Sequence, residues 1–158
     1  MESGNLLSLD VGSTLVGFAC FAKGSEELLV SGAFKRAQNR ALSGIQEIIV
    51  EQQIQVVVAG LPYREDGTAS DQGADILAFC RRLHRRAPMP FYLCDESFST
   101  QEVESRMALS TPKKRIATKK SGEIDAQSAV AIGRRFLDPD NTFTITRLES
   151  VLTDIGDE

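Results

Sequence analysis

The sequence predicts an α/β fold. It is read as a mixed five-stranded sheet, three antiparallel strands and then parallel strands, with helices on both faces. Two observations carry this. Three strand-like runs joined by short turns open the chain, and strand and helix periods then alternate up to about Leu137. At 158 residues the chain has the size of one ordinary domain.

The elements follow in order. Leu6-Leu7-Ser8-Leu9-Asp10-Val11 is an apolar run ending at an aspartate, and Gly12-Ser13-Thr14 forms a turn. Leu15 to Phe21 is a second strand, and Lys23-Gly24-Ser25 is a hairpin-like turn. Glu27 to Phe34 completes an antiparallel meander. Between Ala37 and Gln53, residues Ala41, Leu42, Ile45, Ile48 and Ile49 recur at helical spacing. Ile54 to Ala59 is β-branched, as in a strand buried on both faces, and Gly60-Leu61-Pro62 is expected to be a loop. Ser70 is placed to cap a helix running to about Arg85, which Pro88 and Pro90 stop. Pro90 to Cys94 is a strand ending at Asp95-Glu96. Ser99 or Thr100 starts a short helix, and Ser110 to Gly122 is a basic loop. Ile124 to Leu137 is a helix that packs through Ala126, Ala129, Val130, Ile132 and Gly133. Residues 1–138 are taken as the domain. Residues 139–158 form an acidic tail with room for an extra strand.

Composition narrows the chemistry. Hydrophobic residues make up 42% and charged residues 25%, as in soluble globular proteins. No apolar run is long enough to cross a bilayer, and the N-terminus lacks the pattern of a secretory signal, so a cytoplasmic location is expected. Cys20, Cys80 and Cys94 lie in apolar stretches without C-x-x-C spacing and read as reduced core thiols. The single histidine, His84, leaves a histidine-based triad or zinc site with little support. Net charge is -4, yet basic residues cluster at Arg81–Arg86 and from Lys113 to Lys120. Such clusters are as often solvated faces as polyanion contacts.

Three acidic positions fall where α/β folds gather functional groups. Asp10 ends the first strand, Asp95-Glu96 end the last central strand, and Asp125 opens a helix. Carboxylates from separate elements suit a Mg²⁺-like ion, which takes oxygen ligands. A pair of such ions about 4 Å apart can clamp the attacking and leaving oxygens of a phosphodiester. Each acid alone also fits a turn, a helix flank or a helix-dipole role. Their combination points to metal-dependent phosphodiester cleavage.

The motifs carry a family resemblance. Leu9-Asp10-Val11-Gly12-Ser13-Thr14-Leu15-Val16-Gly17 resembles the D-x-G-x-x-x-x-G opening of the YqgF-type family. That family is described as pre-16S rRNA nucleases and as Holliday-junction-resolvase-like. Val58-Ala59-Gly60-Leu61-Pro62 with Asp66-Gly67-Thr68 resembles its V-V-G-L-P…D-G-T segment. Asp95-Glu96-Ser97-Phe98-Ser99-Thr100 resembles its D-E-R-L-S-T segment. Lys119-Lys120 and Ile124-Asp125-Ala126-Gln127-Ser128-Ala129-Val130 resemble its basic loop and V-D-x-x-S-A-V helix. Four motifs in register cover roughly Leu6 to Leu137.

The resemblance implies a ribonuclease H-like fold and a Mg²⁺ or Mn²⁺ site. Catalytic acids are implied at Asp10, Glu96 and Asp125, with Asp95 beside them as a further metal ligand. Asp10 would bridge the metals while Glu96 and Asp125 complete their shells. Ser99 and Thr100 are implied to support the site, and Ser13, Ser99, Thr100 and the loop residues Lys113, Lys114, Arg115, Lys119 and Lys120 are the expected substrate contacts. Gly60-Leu61-Pro62 would wall the site. The implied substrate is the 5′ end of precursor 16S rRNA, with branched DNA as the alternative nucleic acid. The chain departs from the family at Leu15 and Ser97, where a basic residue is usual, and so loses positive charge near the phosphate site.

Three other readings compete. A junction resolvase on the same fold would normally act as a dimer with paired sites, so monomer and homodimer both stay open. An actin-like or sugar-kinase-like ATPase shares an Asp10-Val11-Gly12-Ser13-Thr14-type phosphate loop. The chain is short for a two-domain nucleotide clamp and has no second glycine-rich motif. A non-catalytic RNA-binding assembly protein of the same fold would explain the lost basic residues but not the retained acids.

Overall fold

The computed structural model describes residues 4–61, 71–95, 122–138 and 145–148. Six strands form one sheet: β1 (Asn5–Val11), β2 (Leu15–Phe21), β3 (Leu28–Lys35), β4 (Ile54–Leu61), β5 (Phe91–Asp95) and β6 (Ile145–Arg147), in the order β3-β2-β1-β4-β5-β6. The pairs β1–β2 and β2–β3 are antiparallel, and β1–β4 and β4–β5 are parallel. The helices are α1 (Arg40–Glu51), α2 (Asp71–Arg86) and α3 (Glu123–Leu137). The expected short helix from Ser99 or Thr100 lies outside the described residues.

The sheet is covered on both faces, which is why its central strands read as nearly continuous apolar runs. On one face Leu7, Leu9, Val57, Ala59 and Leu61 join the inward sides of α1 and α2, including Ile45, Ile76 and Leu83. On the other, Leu6, Val56, Val58 and Cys94 pack with Ala129 and Ile132 of α3. Each fully buried aliphatic side chain contributes about 1.5–3 kcal/mol. Cys20, Cys80 and Cys94 are buried, and among the described residues they form no disulfide. Burial pushes the Cys20 and Cys80 thiols up to about 12, so both are inert at neutral pH. Among the described residues no helix is long and apolar enough to cross a membrane.

Three expectations are corrected. The sheet has six strands, because Ile145–Arg147 pairs antiparallel with β5 and carries the fully buried Leu148 into the core. Gly60 and Leu61 belong to β4 rather than to a loop, since they pair with Cys94 and Asp95 of β5 and Leu61 is fully buried. Parallel pairing and burial there override the turn signal of glycine. The helix expected from Ala37 begins only at Arg40. Ala37–Asn39 form a 3₁₀ turn, and Gln38 and Asn39 adopt left-handed backbone conformations that break the helix.

Candidate functional site at the strand ends

Asp10 lies at the C-terminal end of β1, near the middle of the sheet. Side chains alternate along β1. Leu7, Leu9 and Val11 face the α1–α2 layer, whereas Leu6 packs with α3 and Ser8 donates to the Ala129 carbonyl of α3 at 2.6 Å. The same parity turns Asp10 toward α3, where the buried Ser128 hydroxyl donates to its carboxylate. Asp125 sits in the first turn of α3.

Two glycines bring these acids together. Gly17 on β2 is the cross-strand partner of Asp10. A Cβ at Gly17 would overlap the Asp125 carbonyl and lie 3.0 Å from the Ala126 nitrogen, so α3 rests its backbone directly on β2. At Gly12 a Cβ would meet the Leu15 carbonyl oxygen at 2.8 Å, inside the tight turn that follows β1. The spacing of Asp10, Gly12 and Gly17 therefore has a steric meaning: one glycine for the turn, the other for the helix that delivers the second acid.

The electrostatics follow from this geometry. The Asp10 pKa is pushed from 3.8 to about 7, chiefly by burial and next by the nearby charge of Asp125, while the Ser128 hydrogen bond works against both. Ser128→Ala should therefore raise the Asp10 pKa further, and Asp125→Asn should lower it. Carboxyl chemical shifts followed through a pH titration of the metal-free protein will show the two variants moving in opposite directions.

A half-buried, poorly solvated carboxylate held against a second one is the donor chemistry that suits a hard divalent cation, whose charge removes the repulsion. Asp10 and Asp125 fit such an ion. Among the described residues no group of three potential metal-ligating side chains is gathered. Asp95 ends β5, opposite Leu61, but its side chain lies outside the described residues. Glu96, Ser99, Thr100, Lys113, Lys114, Arg115, Lys119 and Lys120 also lie outside them. So does Pro62, the remaining member of the expected wall.

Ser13 is exposed on the turn after β1. That turn is tied down by three bonds. The Gly12 N–H donates to the Leu15 carbonyl at 2.8 Å, the Arg36 N–H to the Thr14 carbonyl at 2.9 Å, and the Arg36 guanidinium to the Gly12 carbonyl at 3.1 Å. The same guanidinium pairs with Asp75 of α2 at 2.6 Å and lies 5.2 Å over the Phe79 ring.

Sequence reasoning missed Arg36, which brings together residues distant in sequence. It missed Ser128 too, although Ser128 stands three residues after Asp125 on the same helix. It also missed Lys35, the exposed cross-strand partner of Leu15. Directly opposed side chains share a face. The positive charge absent at Leu15 is thus present one strand further out.

Comparison with known proteins gives the class: a nuclease, hence a phosphodiester hydrolase, on a ribonuclease H-like fold of a family that implies a divalent metal. The family model described as "RuvX: Holliday junction resolvase" matches residues 4–139, and the chain belongs to this family. A protein of Gloeothece citriformis (strain PCC 7424) named "Putative pre-16S rRNA nuclease" is 29% identical over 150 residues, covering 92% of this chain and 95% of its own. A protein of the same name from Rippkaea orientalis (strain PCC 8801 / RF-1) is 30% identical over 142 residues, covering 87% and 98%. The YqgF-type resemblance of the motifs agrees with both.

Among solved structures, Thermus thermophilus RuvC superimposes with a TM-score of 0.50 at 12% identity, covering 96% of each chain. T. thermophilus RuvC in complex with a Holliday junction substrate gives 0.50 at 14% identity, covering 82% of this chain and 90% of that one. At these identities the likeness shows the fold alone.

Proposed function

We propose that this nuclease hydrolyses a phosphodiester bond at the 5′ end of precursor 16S rRNA, in the cytoplasm, during ribosome biogenesis, with Mg²⁺ or Mn²⁺ as cofactor. The observation that carries the reading is the meeting of Asp10 and Asp125 over Gly17, at the end of the central strand. The names of the relatives supply the RNA. Residues 1–138 are assigned as the catalytic domain. The tail from 139 attaches to it, in keeping with β6 on the edge of β5.

Asp10, Asp125 and Glu96 would hold the metal. Glu96 is taken as the third ligand, with Asp95 beside it, as the resemblance of the Asp95-Glu96 motif implies. When bound, a divalent ion supplies Lewis-acid stabilisation of charge on the phosphate oxygens and lowers the pKa of water. The chain's own groups do the rest. Ser128 orients the Asp10 carboxylate, and the pinned turn presents the Ser13 hydroxyl to solvent at the same strand end. Ser99, Thr100, Lys113, Lys114, Arg115, Lys119 and Lys120 are assigned to the substrate backbone.

The test is cleavage of end-labelled precursor 16S rRNA and of four-way junction DNA, with and without Mg²⁺ or Mn²⁺. Metal-dependent cutting of the RNA supports the proposal. Cutting of the junction alone replaces it with the resolvase reading, and binding without cutting replaces it with an assembly role. In the same assay Glu96→Gln should lose about a hundredfold or more in rate, since a misplaced or missing group at the reacting centre costs that much. Asp95→Asn should stay within about tenfold, and the reverse order would give the ligand role to Asp95.

A further inference from the structure

The basic cluster of α2 remains outside the catalytic site. Arg82, Arg85 and Arg86 are exposed in its C-terminal part, and Arg40 is exposed at the start of the neighbouring α1. Two of them bridge the seam between the helices. Arg82 donates to the Asn39 side-chain carbonyl at 2.7 Å, and Arg86 to that of Gln46 at 3.4 Å. Both acceptors are neutral amides. Among the described residues none of these four arginines forms an ion pair. Glu47 and Glu51, exposed on α1, leave them unpaired. A guanidinium fixed by an amide is oriented yet keeps its full charge.

The position of the seam matters as much as its charge. α2 begins beside the turn that follows Asp10, where Arg36 bonds both Asp75 and Gly12. From Asp75 to Arg86 the helix advances about 16 Å, at 1.5 Å per residue. Arg85 and Arg86 thus lie away from the active end of the sheet, while Arg40 and the Asn39-bound Arg82 stay nearer to it, where β3 ends, all on the layer opposite α3. Guanidinium forks match phosphate oxygens well. In a chain of net charge -4, four unpaired cations in one seam make a local attractor for a polyanion.

We propose that the α1–α2 seam is a second nucleic-acid contact, holding backbone phosphates of a double-helical part of the substrate along a line that leads away from the bond cut. This rests on the nuclease reading, and the experiment separates the two. Binding of a 30-base-pair RNA duplex is measured over a salt series in the Asp10→Asn background, and cleavage of a short oligonucleotide is measured with Asp10 intact. The first variant is Arg40→Gln with Arg85→Gln, whose side chains make no hydrogen bond or ion pair among the described residues, so folding is not at stake. The second adds Arg82→Gln and Arg86→Gln.

Removing one arginine–phosphate interaction should flatten the slope of log affinity against log salt by about 0.9. The double variant should therefore lose up to about 1.8 in slope and about tenfold or more in duplex affinity, with unchanged cleavage of the short substrate. The quadruple variant should lose more. Unchanged slope and affinity in both variants overturn the seam while leaving the nuclease reading intact, and so does a parent protein that does not bind the duplex. Failure of the parent enzyme to cut any substrate is a failure of the nuclease reading, read from the other assay.

Discussion

Replacing Asp10 by asparagine should abolish cleavage and, in metal-free solution above neutral pH, make the protein more stable. The first effect follows from removing a charged ligand where the fold needs one. Loss of several kcal/mol of charge stabilisation at the phosphate is a rate loss of at least about a thousandfold. The second follows from the raised pKa of Asp10, about 7 against the usual 3.8. Between those values the native chain keeps a proton that the unfolded chain has released. Stability therefore falls as pH rises through that window and stays reduced above it. Asparagine has no proton to lose and can still accept from Ser128. Thermal unfolding at pH 5 and pH 8, with and without divalent metal, separates the terms. The parent protein should be weakened at pH 8 and recover when metal is added. The variant should lack that pH step from residue 10 and respond little to metal. Full activity in the variant would end the carboxylate mechanism, and an unchanged pH profile would end the account of Asp10 burial.

Gly17→Val should be the most damaging substitution that leaves every acid in place. The new Cβ would run into the Asp125 carbonyl and the Ala126 nitrogen, both backbone atoms of α3 that cannot rotate aside. The helix must lift from β2, and Asp125 moves with it. Overpacking of this kind costs about 1–3 kcal/mol or more. A displacement of about 1 Å at a catalytic group costs about a hundredfold in rate. Gly32→Val is the matched control, since there the Cβ would meet only the ring edge of Phe18, at 3.1 Å. Urea midpoints and cleavage rates at a temperature where both variants are folded should show a large loss at 17 and a small one at 32. Equal effects would mean that the close approach of α3 has no special part in the site.

Much of this architecture is legible locally. Alternation and β-branched runs mark β1, β2 and β4, and the 3.6-residue period marks α1 and α3. The motif spacing from Asp10 to Gly17 and the aspartate at the head of α3 point to the acids from sequence alone. These features are legible because they depend on neighbours in the chain: a strand alternates, a helix repeats, a tight turn needs glycine.

What only the tertiary structure decided depends on residues far apart in sequence. Gly60 and Leu61 became strand because β5 offers them hydrogen bonds. Ile145–Arg147 became a sixth strand because β5 had a free edge, and burial of Leu148 secured it. Gly17 acquired its meaning from a helix more than a hundred residues later, and Asp10 its shifted pKa from Asp125 and from burial. Lys35 faces the gap left by Leu15 only through the β2–β3 register. Arg36 holds the Gly12 turn only because α2 packs against it. The sequence by itself determined which segments can be strand or helix and which acids are available. Their meeting was decided by close packing between layers, because cross-strand register and the depth at which a helix seats are set by both partners at once.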